Sequence, residues 1–215
     1  AGIAVCQQPI VLDNTSAYGV LSNTGATLGG GPNSVTGFRV IGNVGIHPTG
    51  ACVGCDTTTV NGLIEIGNVP AQDAMTELTA IYNEAIGRTT GVCTLNNSGS
   101  LVTNPSAACG GGADGVFAPG LYWSASSIAI PAGGTITLDA QNNADAVFIF
   151  QSESTINTIG GDTHIILANQ AQAKNVFWVA KSSASLGGTT SDFAGTVIAQ
   201  VAITVNVGTQ MVGRA

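Results

Sequence analysis

Short runs rich in β-branched and aromatic residues punctuate most of this chain, each closed by Gly, Asn, Asp or Ser. The runs predict strands at Tyr18–Leu21, Gly37–Ile41, Asn61–Ile66, Leu121–Trp123, Ser127–Ile130, Thr135–Leu138, Ala146–Phe150, His164–Leu167, Val176–Val179, Thr196–Ala199 and Ala202–Val205. Their spacing of roughly 8–12 residues admits a sandwich, a barrel or a solenoid. The connections narrow this. Two-residue hairpins favour Asn-Gly or Asp-Gly. Asn61-Gly62 and Asp114-Gly115 occur, but almost no such signal separates the later strands. Instead Ile130, Gly134 and Ile136, then Ile156, Gly161 and Ile165, then Ile203, Gly208 and Met211 repeat one theme. An apolar residue, a polar stretch, a glycine corner and another apolar residue suit the bends of a parallel β-helix. The period is irregular, so a solenoid and a sandwich both stay open at this point. In a solenoid, Val147, Ile149, Ile166, Val176, Trp178, Val197, Ala199, Ile203 and Val205 would stack inward. Asn169, Gln172, Asn175 and Gln200 would form amide ladders at corners or remain ordinary surface amides.

One segment has a different period. From Pro70 to Gly87, residues Ala71, Ala74, Met75, Leu78, Ile81, Tyr82, Ala85 and Ile86 fall on one stripe of a 3.6-residue repeat. Pro70 suits a first helical turn, and Asp73 and Glu77 lie towards the positive end of the helix dipole. Gly87 is placed as a left-handed terminator. A helix over 70–87 with one apolar face requires a surface to pack against.

Composition limits the partners. Charged residues make up 8% of the chain, against about 25% in an average domain. The surface must therefore be built from hydroxyls, amides and backbone. Net charge is −7 with five scattered cations, which excludes the clustered Lys and Arg that nucleic acid requires. Mean hydropathy is +0.35, yet no run reaches the ~18–20 apolar residues of a spanning helix. The apolar content is expected in a water-soluble core, with no membrane insertion. The chain begins at Ala1 without Met, as a mature secreted protein would after signal removal. Asn14-Thr15-Ser16 and Asn96-Asn97-Ser98 permit glycosylation without demonstrating it.

There are five cysteines. Cys93 and Cys109 flank a loop rich in Ser, Asn, Gly and Pro, and a disulfide between them would staple a cap over about 88–115 in an extracellular setting. Cys52 and Cys55 would close on each other, or one would pair with Cys6. A zinc site uniting all four of Cys52, Cys55, Cys93 and Cys109 lacks the tight second spacing of a knuckle.

Catalytic patterns are weak. Stacked coils could bring Asp139, Asp162 and Asp192 together as paired acids, although turn formation explains each of them. His47 and His164 have no Gly-x-Ser-x-Gly elbow nearby. Gly29-Gly30-Gly31-Pro32 lacks the Lys of a phosphate loop, and Gly110 to Gly115 is a lone glycine-rich stretch. What recurs is Thr and Ser with small neighbours, as in Thr24-Gly25-Ala26-Thr27, Thr155-Ile156-Asn157-Thr158, Ser183-Ala184-Ser185 and Thr204-Val205-Asn206. Stacked about 4.7–4.9 Å apart, such strands would give a lattice of hydroxyls and methyls that orders water without a charge.

Several longer motifs match one family. Ala118-Pro119-Gly120-Leu121-Tyr122, Asp145 to Gln151, Ala171 to Trp178, Phe193 to Gln200 and Val212-Gly213-Arg214-Ala215 resemble, in order, the β-solenoid ice-binding proteins of cold-adapted microbes. Ile81 to Arg88 resembles the end of that family's long helix. Thr24-Gly25 and Val40 to Gly45 fit its opening strands more loosely. The resemblance implies a right-handed, discontinuous parallel β-solenoid of triangular section over 1–215 as a single domain, with the helix alongside. It implies a monomer without cofactor, metal or catalysis, whose partner is the ice surface, with thermal hysteresis and recrystallisation inhibition as the outcome. The expected ice-binding residues are Ser22, Thr24, Thr155, Thr158, Ser185, Thr204 and Asn206. The chain stops where the family usually continues through one further strand, and its cysteines are more numerous. A polysaccharide lyase-like β-helix and a surface adhesin module are the alternatives.

Overall fold

A computed structural model describes residues 7–28, 40–95, 99–103 and 113–215. The chain divides into two compact units. The larger is formed by Glu84–Gly213 with the described residues before Val11, and the smaller by Val11–Asn83 with Arg214–Ala215.

The smaller unit holds three small parallel sheets. β1 (Tyr18–Ser22), β4 (Asn43–Ile46) and β7 (Ile64–Ile66) form one, β2 (Gly25–Thr27) and β5 (Ala51–Val53) the second, β3 (Val40–Ile41) and β6 (Val60–Asn61) the third. Leu28, Val40, Val44 and Val60 form one buried cluster of it. Asn61–Ile66, read from the sequence as one strand, breaks into β6 and β7. Asn61-Gly62 is the corner between them, and a side chain at Gly62 would collide with the Gly42 carbonyl. Ala215 exchanges two backbone hydrogen bonds with β1, to Gly19 and from Leu21. Cys52 and Cys55 are disulfide-bonded to each other, with Cα atoms 5.5 Å apart, which removes the zinc alternative.

The helix α1 spans Val69–Gly87, one residue longer than the periodicity predicts. Ala71, Ala74, Ile81 and Ala85 are fully or nearly buried, and Met75, Leu78, Tyr82 and Ile86 flank them at intermediate exposure, so the predicted stripe is the packed one. Asn68 caps the helix by accepting the Ala71 N–H at 3.1 Å. Gly87 is the last helical residue and does not adopt the left-handed conformation expected of it. The last turn of α1 belongs to the larger unit. No helix among the described residues is long and apolar enough to cross a membrane.

The larger unit is a stack of parallel turns with three strand-bearing sides. One side carries β8 (Val92–Thr94), β10 (Gly120–Ser124), β13 (Phe148–Ser152), β16 (Val176–Ala180) and the second half of β18 (Ser191–Ala199). The next carries β11 (Ile128–Ala129), β14 (Ile156–Ile159), β17 (Ser183–Gly187) and β19 (Ala202–Val205). The third carries β9 (Val116–Phe117), β12 (Thr135–Asp139), β15 (His164–Ala168) and the start of β18; β20 (Thr209–Arg214) also pairs with β18. Every pair with a defined register is parallel, which decides for the solenoid over the sandwich. Corresponding residues recur after 28 or 29 positions in the middle turns and after 19 in the last.

An aromatic column fills the core. Tyr122, Phe150 and Trp178 stand in register and stack at centroid distances of 5.1 and 4.2 Å. Phe117 meets the first two edge-on, and Phe193 tilts against Trp178. The Trp178 indole N–H donates to the Ala194 carbonyl at 2.9 Å. Gly195, with φ of 124°, must be glycine, because a Cβ there would lie 2.7 Å from that indole nitrogen. Three ladder expectations are corrected. Ile166 is 48% exposed and points outward. Ile149 is buried, but on the outer side of its sheet, out of register with the core column. Gln172 and Asn175 do not pair with amides but donate to the Ala144 carbonyl on the preceding turn, and Asn169 donates to Asp139. Of the predicted glycine corners, Gly161 and Gly208 have positive φ, while the first falls on Gly133 in place of Gly134.

Candidate functional site

The second side of the larger unit has the regularity that the sequence only hinted at. Ile128, Ile156, Ala184 and Ile203 stand opposite one another, the first three fully buried and Ile203 packed against the core. Alternation then fixes the outer row as Ala129, Asn157, Ser185 and Thr204, in register across all four strands. Ser100 extends the row by a parallel bridge to Ala129. Beside it lie Ser127, Thr155, Ser183 and Ala202, where strands begin, and on the other side Ile159 faces Gly187. The array repeats about every 4.7–4.9 Å across strands and about 6.6–6.8 Å between alternate residues. None of these side chains is charged.

The polar groups are partly fixed in place. The Ser127 and Thr155 hydroxyls are 2.9 Å apart on successive turns, and Asn157 donates its amide to Thr155 Oγ1 at 2.8 Å. Three side chains on two turns are therefore held by one another, which reduces the entropy lost on ordering them against a partner. Beneath the surface, Ser152 donates to the Ser126 and Thr155 carbonyls, each at 2.9 Å, and Ser124 donates to Ser127 O at 3.1 Å. These buried hydroxyls tie the corner that leads into the sheet.

The seven predicted residues separate. Thr155, Ser185 and Thr204 lie together on this side, with Ser185 directly opposite Thr204. Thr158 does not join them. It is 2% exposed and its hydroxyl accepts the Gly187 N–H at 2.9 Å. Thr155 and Thr158 are three apart, an odd separation that sends them to opposite sides of a strand. Asn206 follows the end of β19 and donates its amide to Leu186 O at 3.0 Å, closing a corner. Ser22 and Thr24 lie in the smaller unit. The Ser22 hydroxyl is engaged in the turn to Gly25, bonding its carbonyl at 2.7 Å and its N–H at 3.2 Å, and Thr24 is exposed in the bend before β2. Asn157, Ala129, Ser127 and Ser183 were missed. The alternation about Ile156 and Ala184 would have given Asn157 and Ser183.

The third side is unlike the second. Its outer residues include Asp139, His164 and Asp192 beside Thr135, Thr137 and Ile166. Of the three acids that stacked coils could bring together, Asp162 and Asp192 do meet, on opposite nitrogens of His164. Asp139 is apart from them. Its carboxyl is held below the usual range by the Asn169 amide and the Gln141 N–H. No three His, Cys, Asp or Glu side chains among the described residues are placed to hold a metal. Cys93 is disulfide-bonded, but Cys109, its expected partner, lies outside the described residues, as does Cys6.

The ice-binding-like family model matches residues 17–215. An ice-binding protein of Flavobacterium frigoris is 32% identical over 209 residues, covering 92% of this chain and 67% of that protein. An ice-binding protein of Nostoc sp. is 30% identical over 194 residues, covering 90% of this chain and 65% of that one. The chain thus spans about two thirds of the length of both relatives, and 10% of that of Ice-binding protein 1 of Shewanella frigidimarina, to which 97 residues align at 37% identity. Among solved structures, an ice-binding protein from an Antarctic biological consortium superposes with a TM-score of 0.78 at 26% identity, covering 98% of this chain and 93% of that one.

Proposed function

This chain belongs to the ice-binding-like family, and we propose that it adsorbs to ice through the outer face of β11, β14, β17 and β19. The observation that carries this reading is the uncharged, in-register row of Ala129, Asn157, Ser185 and Thr204. A charged group holds its own hydration shell and would have to lose it on contact with a crystal. Small hydroxyls, amides and methyls let water between them keep bonding to water, so the layer over the face can merge with a lattice. Many weak contacts at fixed spacing then add up, and the array loses little freedom on binding because strand pairing has already ordered it. Adsorption of this kind halts growth locally, giving thermal hysteresis and inhibition of recrystallisation. The relatives are named for binding and not for catalysis, and a non-enzymatic, secreted, monomeric protein is the form we propose. Thr155, Ser185 and Thr204 carry over from the sequence as face residues. Asn157, Ala129, Ser127 and Ser183 join them.

Nanolitre osmometry tests this directly. The purified chain should shape ice crystals into facets and open a gap between melting and growth. Thr204→Tyr and Ser185→Tyr should each abolish most of that gap while circular dichroism and melting temperature stay near wild type. Thr24→Tyr, in the smaller unit, asks whether the contact extends there. Round crystals with no gap from folded wild-type protein would overturn ice binding. Full activity in both Thr204→Tyr and Ser185→Tyr would overturn this choice of face.

A further inference from the structure

The third side of the larger unit has an ionic cluster that ice adsorption does not use. β15 and β18 share a single register pair, His164 with Asp192, before β18 turns away to pair with β16 from Thr196 onward. At that one pair the side chains also meet. His164 Nδ1 lies 2.8 Å from Asp192 Oδ2, and its Nε2 lies 3.2 Å from Asp162 Oδ1. Asp162 is held in the left-handed region, φ 54°, and donates its N–H to the Thr189 carbonyl at 2.8 Å. Thr190, also left-handed with φ 59°, donates its hydroxyl to the Thr189 carbonyl at 2.7 Å, with that oxygen 3.5 Å from Asp162 Oδ1. Across the sheet on the other side, β12 presents Thr135 to His164 and no charge. Among the described residues, the ionisable groups facing the ring are therefore the two carboxylates alone.

A neutral imidazole has one N–H and one bare nitrogen. In this geometry it could donate to one carboxylate and would turn a lone pair towards the other. Only the imidazolium donates to both. We propose that His164 is a proton-dependent clasp that, when charged, ties the Gly160–His164 corner to the start of β18 on the next turn, and that its deprotonation removes one of the two side-chain ties and loosens that start. The hydrogen bonds that the ring donates to Asp192 and Asp162 raise its proton affinity above the ordinary histidine value of 6.5. The sign follows from linkage: the folded state binds the proton more tightly than the unfolded one. The clasp is then fully present below pH 6.5 and is lost as pH rises through the elevated value of the folded state. Because the cluster is exposed, salt should weaken it. The backbone bonds of this corner, Asp192 N–H to Thr163 O at 2.9 Å and Ser191 N–H to Gly188 O at 3.2 Å, do not titrate. Opening should therefore be local.

The test is amide hydrogen exchange over residues 189–194 from pH 5.5 to 8.5, corrected for intrinsic rates, on wild type and His164→Gln. Histidine NMR titration of wild type and Asp192→Asn runs alongside. Wild type should lose protection in this segment with a midpoint above 6.5, while His164→Gln stays flat across the range. Asp192→Asn should move the His164 midpoint down. Parallel loss of protection in wild type and His164→Gln would overturn the proposal. So would a His164 midpoint at or below 6.5 in wild type, or one indifferent to Asp192→Asn. If His164→Gln does not fold, the titration pair decides alone.

Discussion

Two sides of the larger unit are built from the same parallel turns and differ almost only in what points outward. On the side of β10, β13 and β16 the outer residues are Leu121, Trp123, Ile149, Gln151, Phe177 and Val179, and all but the half-buried Trp123 are buried. Gln151 donates its amide to the Ala85 and Arg88 carbonyls at 2.7 and 3.1 Å, so the last turn of α1 lies over this side. On the side of β11, β14, β17 and β19 the outer residues are small and neutral, and they remain at the surface. The backbone does not choose between a covered side and an open side. The outer rows choose, and mutations in them should fail in different ways.

Trp178→Ala should have the largest effect, because it acts on the core that both sides share. It removes the last ring of the stacked column, between Phe150 and Phe193, and the indole bond to Ala194. We expect a loss of about 3–5 kcal/mol in chemical denaturation. Ice activity should vanish only as the protein unfolds; a folded, inactive variant would mean that the column positions the outer face and does not merely support it. Gln151→Ala acts on the covered side alone. It strips a buried amide from two helix-end carbonyls, which should cost about 1–3 kcal/mol, with hysteresis per folded molecule unchanged. Thr196→Val should go the other way. The buried Thr196 hydroxyl has no hydrogen-bond partner among the described residues, so an apolar replacement of similar shape should stabilise by about 1 kcal/mol in the same titration.

The covered side was legible in the sequence and the open side only in part, for a physical reason. Buried strands must be apolar on both faces, so Val176 to Val179 and Ala146 to Phe150 read as dense runs and were predicted within a residue or two. The motifs that carried the family resemblance are of this kind. Trp178 and Ala194 bond each other, and Gly195 is required by their closeness. They specify the scaffold. The open side is written in residues that loops also use. Ser183-Ala184-Ser185-Leu186-Gly187 is a strand with one large apolar residue, and it was not predicted as one. Its register comes from Ile156, 28 residues earlier, information that no local window contains. The step then shortens to 19 residues, which hides the repeat. The helix, whose stripe is local, was placed almost in full.

The finest test of the comparison separates shape from order on the open side. Thr155→Val keeps the volume of the side chain but removes the oxygen that Ser127 and Asn157 both bond. Thr155 lies at the surface, so stability should change by no more than about 0.5 kcal/mol. If preorganised hydroxyls and amides matter, hysteresis should fall by a measurable fraction, since Ser127 and Asn157 regain rotamers that binding must then order. Unchanged hysteresis would assign the contact to shape and methyl groups. The hydrogen-bonded trio would then hold the corner and play no part in adsorption.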